Sequence, residues 1–95
     1  MRKYEIMYIL MPRLSDEERK AEMDKLHAII TNNGGKVNDV KEMGLRELAY
    51  EIKKQMKGFY VVIKVEAETK AINEFDRLAK IDANVIRHLT VVDRD

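Results

Sequence analysis

The chain contains no cysteine, a single proline, a single serine and almost no net charge. Without cysteine there is no disulfide framework, no thiolate nucleophile and no zinc site built on sulfur. The net charge of +1, from 18 Lys and Arg against 17 Asp and Glu, leaves no bulk cationic field. Any affinity for nucleic acid must therefore come from a local patch. Long hydrophobic runs are also missing. Ile6 to Met11 is the longest, far short of the roughly 20 residues that span a bilayer. The opening Met-Arg-Lys-Tyr-Glu leads into a strand-like pattern instead of a signal peptide. These features predict a cytoplasmic protein with no membrane partner.

Ninety-five residues suit one domain over 1–95, able to fold alone but too small for two cores. Hydrophobic residues make up 45% and charged residues 37%. The charged share exceeds the roughly 25% usual for globular chains, as expected of a small globule with a well-solvated surface.

The pattern along the chain predicts six elements. Tyr4 to Met11 reads as a strand apolar on both faces, hence central or covered on each side. Pro12 stops it. Ser15-Asp16-Glu17-Glu18 is a capping box whose acids also suit the positive end of a helix dipole. Met23, Leu26 and Ile30 form the buried stripe of that helix, and Asn33-Gly34-Gly35 ends it. Val37 to Ile52 reads as one long strand, bulged near Gly44, where a missing Cβ permits unusual backbone angles. Phe59 to Glu66 is a third strand. Thr69 is placed to cap a second helix with Ile72, Phe75, Leu78 and Ala79 on one side. Val85 to Val92 is the last strand, and its inward face stays open because apolar residues occupy both phases.

Strand, helix, strand, strand, helix, strand is the order of a ferredoxin-like βαββαβ plait, an α+β fold. Its four-stranded antiparallel sheet carries both helices on one face. The other face then has no helix to cover it, yet it carries Met7 or Ile9 and half of the third strand. An uncovered apolar sheet face implies a partner.

Catalysis has little to build on. Ser15 is fully explained as a cap. His27 and His88 lie on different elements with no local base–nucleophile pattern, and His27 reads as a polar residue on a helix flank. His27 with Asp24 supplies too few ligands for a specific metal site. Gly34-Gly35 ends a helix instead of opening one, so it is no phosphate loop. No enzyme, cofactor, metal or small-molecule substrate is expected.

Nucleic-acid binding fits better. Arg46, Lys53, Lys54 and Lys57 gather on one strand and its hairpin, Arg2 begins the first strand, and Arg87 lies in the last. Some of these are accounted for as edge-strand cations that discourage aggregation. Arg46 offers a fork-shaped cation able to hold phosphate at two points. Tyr50 could stack on a base, but the alternation favours a core tyrosine in register with Leu48 and Ile52.

Two resemblances follow. Lys57-Gly58-Phe59-Tyr60-Val61-Val62-Ile63-Lys64 resembles the third-strand signature of the RNA-recognition motif, which stacks single-stranded RNA on aromatics. Val61 stands where its second aromatic belongs, which removes much of that platform. Gly44-Leu45-Arg46-Glu47-Leu48-Ala49-Tyr50-Glu51-Ile52-Lys53 closely resembles the signature of the bacterial small-subunit ribosomal protein six family. The opening Arg2 to Ile6, the turn Met11 to Ser15 and the closing Val85 to Val91 are similar to that family too. Glu51 and Val65 depart from it, where many members have proline and an aromatic.

The resemblance implies a structural role on the ribosome. It implies binding to the central domain of small-subunit ribosomal RNA together with small-subunit ribosomal protein eighteen as a heterodimer. On matching positions it implies phosphate contacts by Arg46, Lys53 and Lys54, and by Arg2 and Arg87 less directly. The alternative is a ferredoxin-like regulatory interaction domain, such as a self-associating ligand sensor.

Overall fold

A computed structural model describes residues 1–93. The elements run β1 (Arg2–Leu10), α1 (Asp16–Asn32), β2 (Lys36–Ile52), β3 (Gln55–Ala67), α2 (Thr69–Ile81) and β4 (Val85–Val92). The sheet order is β2-β3-β1-β4 with antiparallel neighbours throughout. This is the expected ferredoxin-like plait. Among the described residues no helix is long and apolar enough to cross a membrane.

Local chemistry sets the boundaries. At α1 the Ser15 hydroxyl accepts from the Glu18 amide at 3.1 Å, and the Glu18 carboxylate accepts from the Ser15 amide at 2.9 Å. Both halves of the capping box are thus made. Gly34, at φ +81, supplies the left-handed residue just after the helix. The cap of α2 differs from expectation. Glu68 occupies that position without a side-chain hydrogen bond, and Thr69 is already helical. Phe75 and its buried neighbours hold α2 to the sheet without that capping bond.

The main core lies between sheet and helices. Tyr4, Ile6, Tyr8 and Leu10 of β1 and Val61, Ile63 and Val65 of β3 meet Leu26 and Ile30 of α1 and Phe75 of α2. Burial of each large side chain contributes about 1.5–3 kcal/mol. Tyr8 brings a phenol into this layer, and its hydroxyl meets His27 Nε2 at 2.8 Å. His27, which sequence placed as a plain helix-flank residue, is the polar partner of a buried tyrosine. His88 likewise stays local, 3.3 Å from the Asp76 carboxylate and edge-on to Phe75.

The other sheet face departs from expectation at one end. Ile9, Ile86 and Leu48 form a second buried cluster there, flanked by Met11, Ile52 and Tyr60. A register shift explains Ile86: Val85 pairs with Leu10 and Arg87 with Ile9, leaving Ile86 as the extra residue. Val85 therefore points to the helices and Ile86 away from them, which settles the phase of β4. At the other end the face is open. Val62, Met7 and Leu89 are register partners across three strands, and Leu89 and Val91 stay 48% and 46% exposed.

Candidate nucleic-acid interface

The hairpin that joins β2 to β3 has unequal arms. Glu47 pairs with Lys57 and Ile52 with Gln55. Residues 48–51 on one arm thus face Met56 alone on the other. The longer arm must bow. Its bow brings Leu48 down onto Ile9 and Ile86 on the helix-free face. Gly44, at φ +89 beside a register shift, begins the departure from regular pairing.

The turn itself is Lys53-Lys54, with φ of 50 and 64. Positive φ at both central residues belongs to the tight hairpin turn that usually selects Asn-Gly. A left-handed conformation costs a side-chain-bearing residue about 1–2 kcal/mol. Two lysines occupy positions that glycine would fill with less strain.

Three polar contacts fix the cations around this arm. Lys53 Nζ donates to the Val85 carbonyl at 3.1 Å, which ties the turn to the start of β4. Arg87 Nη1 donates to the Tyr50 hydroxyl at 3.0 Å, a second link between the arm and β4. Arg46 Nε donates to the Met43 carbonyl at 3.3 Å, leaving the rest of an exposed guanidinium to solvent. Lys54 is exposed and makes no hydrogen bond or ion pair among the described residues.

The expected cations are thereby sorted by position. Arg46, Lys53, Lys54 and Lys57 share the hairpin, and Arg87 stands beside it, opposite Ile9. Glu47 and Glu51 dilute the charge, with Glu47 in register with Lys57. Lys57 and Gly58 alternate, so Lys57 points to the opposite side from Arg46, the register partner of Gly58. Arg2 does not join them. It pairs with Ala67 at the far end of β1, roughly 25 Å from Leu10 at about 3.3 Å per residue.

One aromatic residue lies elsewhere than the sequence suggested. Tyr50 is 60% exposed instead of buried between Leu48 and Ile52. Alternation assigns it to their side, but the bow leaves only Leu48 and Ile52 packed against the small cluster. Nothing in the local sequence signals that bow. Phe59 and Val61, where an RNA-recognition motif would carry its open-face aromatics, face the helices. Val61 is fully buried, and Phe59 packs against the main core with the Arg19 guanidinium 4.1 Å over its ring. No open-face stacking platform of that kind exists at those positions.

Known proteins agree with this architecture. Residues 3–92 match the family described as Ribosomal protein S6. The crystal structure of 30S ribosomal protein S6 from Thermotoga maritima superposes with a TM-score of 0.91 at 33% identity. It covers 97% of this chain and 87% of that one. With the family matched over nearly its whole length and the plait reproduced, this chain belongs to the ribosomal protein S6 family, structural components of the small ribosomal subunit and not enzymes.

Proposed function

We propose that the chain binds the central domain of small-subunit ribosomal RNA as a heterodimer with small-subunit ribosomal protein eighteen, on ribosomes in the cytoplasm. The observation that carries this reading is the convergence of Arg46, Lys54 and Arg87 on one end of the sheet. The lysines at left-handed turn positions place charge where backbone strain argues for glycine. Such cations hold phosphates and fix orientation without reading sequence. Five cations against two carboxylates is a modest field, counting Arg46, Lys53, Lys54, Lys57 and Arg87 against Glu47 and Glu51. A basic partner would supplement it. The open apolar row of Val62, Met7 and Leu89 offers that partner a surface.

Binding of a central-domain RNA fragment by the chain alone and with the partner protein tests the proposal. Weak binding alone and much stronger binding with the partner is expected. Tight, sequence-selective capture of single-stranded RNA by the isolated chain would overturn it. A stable homodimer in sedimentation without RNA would favour the regulatory-domain alternative.

A further inference from the structure

Tyr50 is the large aromatic residue that the fold leaves in water. The residue is 60% exposed, whereas Tyr8, a true core tyrosine, is completely buried. An exposed ring contributes little to folding, so its position calls for another use. The backbone beneath it is anchored on both sides. Leu48 is buried against Ile9 and Ile86, and Ile52 packs on the same cluster. The far edge of the ring is fixed too, because its hydroxyl accepts the Arg87 hydrogen bond at 3.0 Å. No other ring or cation stacks on its face among the described residues.

Arg87 completes the arrangement. A guanidinium has five N–H donors in a flat fork. One nitrogen meets Tyr50, and the exposed remainder is suited to two-point contact with a phosphate. Lys53 and Lys54 lie a few residues along the same arm. A rigid ring with a free face, an oriented guanidinium at its edge and lysines beyond it match the chemistry of one nucleotide, base on ring and phosphate on cation.

The geometry points to Tyr50 as a stacking platform for an unpaired RNA base, with Arg87 oriented by the Tyr50 hydroxyl toward the adjoining phosphate. This rests on the RNA-binding reading above and adds the class of nucleotide recognised. Bases inside an A-form helix are stacked on their neighbours and have no face to offer, so the ligand is a nucleotide of a loop, bulge or junction. Stacking on an aromatic tolerates any base. The site therefore selects unpaired structure, not sequence.

The test uses the full chain with its partner protein and a central-domain RNA fragment at fixed salt, comparing wild type, Tyr50→Phe and Tyr50→Leu. Loss of one stacked base corresponds to about ten- to a hundredfold weaker binding in the Leu variant. Its salt slope should fall by no more than about one, because every cation is retained and only Arg87 loses the hydroxyl that orients it. Tyr50→Phe keeps the ring and loses only the link to Arg87, so it should lie between the two. Ultraviolet crosslinking followed by mass spectrometry should place a nucleotide on Tyr50. Because the ring is exposed, thermal unfolding of both variants should match wild type.

Wild-type RNA affinity in Tyr50→Leu overturns the inference while leaving the RNA-binding reading intact. Weakened binding of Tyr50→Leu to the partner protein without RNA also overturns it, since the ring would then belong to the protein interface. Failure of the wild-type complex to bind the fragment removes both readings together.

Discussion

Ile9 stands where a side chain on Gly58 would begin: a Cβ built on Gly58 would lie 2.3 Å from Ile9 Cγ2. Ile86 Cδ1 would sit 3.2 Å away on the same side. Ile9 is 2% exposed and branched at Cβ, so its methyl has little room to turn aside. The glycine therefore lets the second cluster close against the sheet. Gly58→Ala should destabilise the protein by about 1–3 kcal/mol, the usual cost of overpacking. Urea unfolding measures this directly, and an unchanged midpoint would show that Ile9 relaxes freely.

Lys53 and Lys54 are neighbours in one turn with different tasks. Both are exposed, but the Lys53 amine is hydrogen-bonded to the Val85 carbonyl and that of Lys54 has no partner among the described residues. Methionine at either position keeps a Cβ and hence the same backbone strain, so it isolates the amine. Lys53→Met should lower stability by about 1 kcal/mol, the net value of an ordinary hydrogen bond, because the lysine is exposed and its charge is screened by water. Lys54→Met should leave stability unchanged but reduce the slope of log affinity against log salt by about one. Chemical denaturation and RNA titrations across a salt series separate the two, and identical behaviour of the variants would refute the division.

Sequence pattern carried both helices, whose apolar stripes bury against one continuous layer, and the presence of β1 and β4, but not the inward phase of β4. Ser15 and Glu18 announced the start of α1 through a contact only three residues long. The arm from Leu48 to Ile52 was not legible in the same way. Its alternation is correct for a flat strand, but the two hairpin arms differ in length, and that difference exists only once β2 and β3 are in register. The Lys53 contact to Val85 and the Tyr50 contact to Arg87 join residues 32 and 37 apart. Neither follows from local pattern. The bulge that sends Ile86 away from the helices is likewise a property of the pairing with β1.

Leu48 is the residue that holds the bowed arm down, so its truncation should free the arm without melting the sheet. Leu48→Ala should cost about 2 kcal/mol, near the low end for buried leucine, because one side of the cluster meets solvent. Hydrogen exchange should show faster amides over residues 48–56, with Ile6 and Ile63 still protected. Uniform acceleration through β1 and β3 would mean that the small cluster supports the whole sheet.

His27 couples the main core to pH. Burial pushes its imidazole below the ordinary 6.5, with Asp24 opposing in part. The Tyr8 hydroxyl donates to Nε2 when that nitrogen carries no proton. Protonation turns the acceptor into a donor and leaves the buried phenol hydrogen without a partner. The unfolded chain takes up the His27 proton near pH 6.5, the folded chain only at lower pH. Between these two values the unfolded state binds more protons, so stability falls as the pH drops below 6.5. The loss is complete below the folded value, and above 6.5 the group contributes no pH dependence. His27→Gln keeps an acceptor for Tyr8 and removes the titration. Urea midpoints at about pH 7.5 and about pH 5.5 should diverge more in wild type than in this variant. Equal pH dependence in the two proteins would show that the Tyr8–His27 contact does not sense protonation.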